Sequence, residues 1–144
     1  MGIFTEYEVE AITDIFKKGN SIRRKSIHHF SKDGTKYKNE PSSKDAYKMW
    51  EVAKKSIDES MGIIKRLKKG RELSLTDYHI IQKTLIRTMK YQAKLLSDYN
   101  DDGTLYRSEP VTEGHIIHFK NILQYIKKIK DILVKLPITY TFEP

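Results

Sequence analysis

"DGTKYKNEP" at residues 33–41 returns as "DGTLYRSEP" at residues 102–110, and the 69-residue offset between them decides how the chain folds. Six of the nine positions are identical: Asp33/Asp102, Gly34/Gly103, Thr35/Thr104, Tyr37/Tyr106, Glu40/Glu109 and Pro41/Pro110. The match runs on without a gap in both directions. Upstream, the apolar pairs are Ala11/Ile80, Ile12/Ile81, Phe16/Leu85, Ile22/Tyr91, Ile27/Leu96 and Phe30/Tyr99. Downstream they are Tyr47/Ile116, Trp50/Phe119, Ala53/Ile122, Ile57/Ile126, Ile64/Leu133 and Leu67/Leu136. Self-similarity at a fixed offset over this length predicts an internal duplication.

Each copy reads as a helix, a loop of about a dozen residues and a second helix. In the last segment Phe119, Ile122, Ile126, Ile129, Leu133 and Leu136 recur at steps of three and four, which puts them on one helical face. Ala46, Trp50, Ala53, Ile57, Met61, Ile64 and Leu67 do the same in the second segment. The third has Tyr78, Ile81, Leu85, Met89, Ala93, Leu96 and Tyr99. The first opens with Thr5 and Glu8 at capping-box spacing. Gly19-Asn20 interrupts it and predicts a kink or a short break.

Ser42 or Ser43 and Thr112 stand where helix N-caps are wanted, and Gly70 follows the cation-rich end "KRLKK" of the second helix. After Pro137 the alternation of Ile138, Tyr140 and Phe142 predicts an extended strap. One helical hairpin leaves its apolar stripe exposed, whereas two cover each other. The expected fold is therefore all-α: a single domain, residues 1–144, in which two tandem hairpins (about 5–69 and 74–136) form a four-helix bundle with an extended tail, 137–144. In up-down-up-down order both "DGT" loops lie at one end of it.

With 144 residues the chain is of one-domain size. It has no cysteine, which excludes disulfides, thiolate metal sites and a thiol nucleophile. The opening "MGIFTEYEVEAITDIF" has neither a cationic region nor a long apolar run, so a secretory signal is not expected. Glu6 stands where a myristoylation pattern wants Ser or Thr. No stretch has the length and apolarity to span a membrane, and a cytoplasmic location is the simplest expectation.

The formal charge of +8 is unevenly spread. Residues 1–16 carry −4, 17–38 carry +7, 39–71 carry +4, 72–110 carry −1 and 111–144 carry +2. The surplus centres on "SIRRKSIHHFSKDGTKYK", residues 21–38. Here Arg23, Arg24, Lys25, Lys32, Lys36 and Lys38 offer cations for phosphates, with His28, His29 and Tyr37 among them. A nucleic acid or a phosphorylated small molecule is the partner this pattern suits, and a solvated Lys-rich face is its ordinary alternative. A protein-interaction or inhibitor module, using that charged end or the strap, is the second reading.

Residues 98–109, "DYNDDGTLYRSE", resemble EF-hand and dockerin calcium loops. The resemblance implies calcium held by Asp98, Asn100, Asp102, the Thr104 carbonyl and Glu109 around Gly103. Tyr106 at the ninth position and Pro110 just after the loop depart from the pattern. In the first copy His29 and Ser31 replace the first and third ligands. What the loops share has a structural account instead: Asp-Gly makes a turn, and Glu-Pro starts a helix.

Arg23 to His28 and Arg24 to His29 have the R-x4-H spacing of the helical HEPN ribonucleases. That resemblance implies an Arg and a His acting on a ribose phosphate as charge stabiliser and general acid/base. A helix-turn-helix over residues 11–30 would place Ile15 and Lys25 at positions that want a small and an apolar residue. His115 and His118 lack a third ligand at metal spacing, and Trp50, aligned with Phe119, reads as core. Neither a Gly-rich phosphate loop nor a G-x-S-x-G nucleophile occurs, so the sequence gives no support for an ordinary enzyme. The expectation is a small basic binding protein that needs no cofactor.

Overall fold

The computed structural model describes residues 2–27, 44–97, 99 and 113–138. Among these the chain is all-α, with four helices: α1 (Glu6–Ile27), α2 (Lys44–Lys68), α3 (Leu75–Leu96) and α4 (Glu113–Leu133). It divides into two compact units, Met1–Ser74 and Leu75–Pro144. α1 packs on α2 in the first unit and α3 on α4 in the second. α3 begins and ends 69 residues after α1, and α4 begins 69 residues after α2.

α1 starts where its capping box places it. The Thr5 amide donates to Glu8 Oε1 at 2.9 Å and the Glu8 amide donates to Thr5 Oγ1 at 3.1 Å, so two otherwise orphaned N–H groups are satisfied reciprocally. α2 ends on Gly70, at φ 64°, a left-handed conformation that costs glycine nothing. The Gly70 amide reaches the Leu67 carbonyl at 3.1 Å and the Arg71 amide reaches that of Arg66 at 3.0 Å, the paired bonds of a Schellman motif. α4 has no glycine at the matching place. It tightens instead, with Lys135 and Leu136 donating to the carbonyls three residues back, before Pro137 arrives without an N–H.

In the first unit Ile12, Phe16, Ile57, Ile63 and Leu67 are buried, and in the second Ile81, Leu85, Ile122, Ile129, Ile132 and Leu136. Across the 69-residue offset Ile12/Ile81, Phe16/Leu85, Ile63/Ile132 and Leu67/Leu136 are buried in both units and Ile22/Tyr91 exposed in both, whereas Ala11/Ile80, Ala53/Ile122, Ile57/Ile126 and Ile64/Leu133 are buried on one side and half-buried on the other. Tyr99 closes one edge of the second core, its ring 5.5 Å from Phe119. Trp50, like Phe119, is only half-buried.

Three expectations need correction. The short break expected at Gly19-Asn20 as the alternative to a kink is absent: α1 runs continuously through both, and the Asn20 side chain accepts from Ser60 of α2 rather than competing for its own backbone. In α2 Ile57 and Leu67 of the expected stripe are buried, but Met61 is 50% exposed and Ile63, outside that stripe, is fully buried. Ser60, polar but 2% exposed, occupies the stripe and disguises it in the sequence. Ala93, expected on the apolar face of α3, is exposed. The cap positions Ser42, Ser43 and Thr112, both "DGT" loops and the strap beyond Ile138 lie outside the described residues.

Candidate anion-binding site

Arg23, Arg24 and Lys25 fall in the last turns of α1, with Arg23 half-buried and the other two exposed. What sets Arg23 apart is its support. Asn20, one turn earlier, is 2% exposed, and its Oδ1 accepts from Arg23 Nη1 at 3.2 Å. The Ser60 hydroxyl of α2 lies 2.9 Å from the same oxygen and 2.9 Å from the Ile57 carbonyl. A hydroxyl carries one hydrogen, so it serves these acceptors in turn. A buried polar pair thereby joins the two helices and holds a guanidinium at its edge.

Gly19 belongs to this arrangement through space rather than flexibility. A Cβ built on it would stand 3.1 Å from Arg23 Nη1, so the guanidinium lies back along the helix over the position where a side chain would be. Arg24 turns the other way and lies on α2, its Nη2 3.4 Å from the Met61 sulfur, a weak acceptor.

The exposed surface of α1 is segregated by sign. Glu6, Glu10 and Asp14 occupy its first half, and Lys17, Lys18, Arg24 and Lys25 its second. Part of this is ordinary: cations in a last turn complement the helix dipole and stabilise it by about 0.3–1 kcal/mol each. The effect fades beyond that turn, so it accounts for Arg24 and Lys25 and leaves Lys17, Lys18 and the tethered Arg23 unexplained.

The second unit lacks the counterpart. Sixty-nine residues after Asn20 and Ser60 stand Met89 and Ile129, both buried and apolar, and after Arg23 stands Gln92. The polar pair and the arginine it holds are thus present together in one unit and absent together in the other. Neither Asn20 nor Ser60 was singled out by periodicity. The available signal was a polar residue interrupting an apolar run, at Phe16 plus four and at Ile57 plus three.

Of the other expected anion-binding residues, His28, His29, Lys32, Lys36, Tyr37 and Lys38 lie outside the described residues. So do the calcium-loop positions Asp98, Asn100, Asp102, Thr104 and Glu109. Among the described residues no group of three or more His, Asp or Glu is placed to hold a metal ion. His118 is exposed, its ring 6.2 Å from that of Tyr99. No helix of the described residues is long and apolar enough to cross a membrane. No protein-family model, curated protein or solved structure matches the chain.

Proposed function

We propose that the chain is a small, basic, non-enzymatic binding protein that engages an anionic partner, a nucleic acid or a phosphorylated ligand, through the cationic end of α1 and the loop that follows it. The observation that carries this is Arg23: its guanidinium is tethered by Asn20 and, through it, by the buried Ser60. A guanidinium fixed before binding loses less freedom on meeting a phosphate than a free side chain does. Arg24 and Lys25 beside it, with His28, His29, Lys32, Lys36, Tyr37 and Lys38 from the loop, complete the proposed site.

The architecture proposed with it is a duplicated helical hairpin closing into a four-helix bundle. The shared 69-residue offset of helix bounds and the matched burial of Ile12/Ile81 and Ile63/Ile132 support that reading.

Native mass spectrometry of the gently purified protein, with and without chelator, is the first test. A nucleotide or oligonucleotide adduct that disappears in Arg23→Glu/Arg24→Glu/Lys25→Glu is the expected result. A bare mass for the wild type would count against an anionic ligand. A chelator-sensitive adduct would turn attention to the loop at residues 98–109.

A second reading is a protein-interaction or inhibitor module. It is favoured by the exposed apolar side chains of Ile22, Met49 and Val52 in the same unit, 66%, 69% and 65% accessible. Partner capture that survives the charge reversal would support it over the first.

A further inference from the structure

Lys83, Arg87, Lys90 and Lys94 are spaced by four, three and four residues along α3, and all four are exposed. At 3.6 residues per turn they fall within an arc of about 60° and extend about 16 Å along the helix axis, a single straight line of cations. The only carboxylate in α3 is Asp77, and it is buried. The exposed side of α3 therefore has no negative charge at all.

We infer that this face of α3 is a second cationic surface, distinct from the end of α1, and that its partner is the phosphodiester backbone of a nucleic acid. The inference rests on the anionic-partner reading given above, though not on the site assigned there.

The pattern differs from an ordinary solvated helix. Exposed faces of that kind alternate sign, as α2 does with Glu51, Lys54, Lys55 and Asp58. On α3 each neighbouring pair, Lys83/Arg87, Arg87/Lys90 and Lys90/Lys94, sets like charges at three or four residues, where they repel. A line of anions laid along the helix would relieve that repulsion.

Three of the four cations are lysines, which act as point charges and lack the planar fork that selects individual carboxylates. Such a row suits a continuous polyanion, whose charge is available in any register, better than the fixed carboxylates of a peptide. A lipid surface fits less well, because the apolar side of α3, with Ile81, Leu85 and Met89, is buried and has nothing to insert. Tyr91, 61% exposed beside the row, adds a ring on which an unpaired base would stack.

The test is fluorescence anisotropy with a labelled duplex of about 20 base pairs and arbitrary sequence, titrated with the full chain at several salt concentrations. Lys83→Gln/Arg87→Gln/Lys90→Gln/Lys94→Gln is compared with wild type and with Arg23→Gln/Arg24→Gln/Lys25→Gln. Removing like charges that repel leaves the fold at least as stable, which circular dichroism checks.

The expected result is a loss of affinity of at least tenfold at low salt in the α3 variant. Its plot of log affinity against log salt should also be shallower by about 3 to 4, the release expected from four phosphate contacts. An unchanged slope would overturn the inference, as would polyglutamate competing as well as duplex of equal total charge. Loss of duplex binding only in the α1 variant would overturn it while leaving the proposed function standing. Loss in neither variant would overturn it and also remove the end of α1 as a duplex-binding surface.

Discussion

Three residues of α1 and α2 fix what is peculiar to the first unit. Ser60→Ala removes the hydroxyl that supports Asn20 and is expected to destabilise by about 1–2 kcal/mol, the cost of leaving a buried acceptor short of a donor. Asn20→Ala should cost at least as much, and the double variant less than the two together, because the side chains are in contact. Chemical denaturation of the four proteins measures this directly, and strict additivity would show that the pair is not coupled. Gly19→Ala separates stability from binding. Alanine gains up to about 1 kcal/mol of helix propensity over glycine. The displaced guanidinium of Arg23 is the far end of a flexible side chain, so the gain should survive as a higher melting temperature while anion affinity falls. Thr13 Oγ1 is buried with no hydrogen-bond partner among the described residues. Thr13→Val, which removes that oxygen and keeps the shape, is therefore expected to be neutral or stabilising.

At the scale of the element, α1 and α2 are bounded by local chemistry. Thr5→Ala should cost about 1 kcal/mol, since it strips an N-cap whose bond is in place. Gly70→Ala should cost about 1–2 kcal/mol, because a Cβ is unfavourable at positive φ even where space is open. Thermal melts of the two variants test whether both ends matter to the same cooperative transition. These features were legible from Thr5, Glu8 and Gly70 alone, because capping depends on neighbours in sequence. The burial of Ile63 in place of Met61 in α2 was not. Helical spacing admits Met61 and Ile64 as readily as Ser60 and Ile63, and only packing against α1 selects between them. The stripe that packing buries is also wider than a single three-four alternation, which is why Ile132 joins Leu133 in the core of the second unit.

For the whole molecule the distribution of charge matters more than its sum. Residues 72–110 total −1, and that figure conceals the four aligned cations of α3, because acidic residues beyond the helix offset them. A charge count follows chain position, whereas a partner meets a surface. The proposed bundle makes its own prediction. If each hairpin needs the other to cover its apolar face, residues 1–74 expressed alone should self-associate or fail to fold cooperatively. Sedimentation and denaturation would show this, and a stable, monomeric fragment would rule the bundle out.

By itself the sequence determined the all-α class, the start of α1 and the glycine-terminated end of α2. Each follows from periodicity or capping, which act between residues close along the chain. Tertiary structure alone decided that Asn20 would continue a helix rather than break it, that Ser60 would meet it, and that Arg23 would be held where it is. A polar side chain has several local uses, and the choice among them is made by the partner that burial brings within reach.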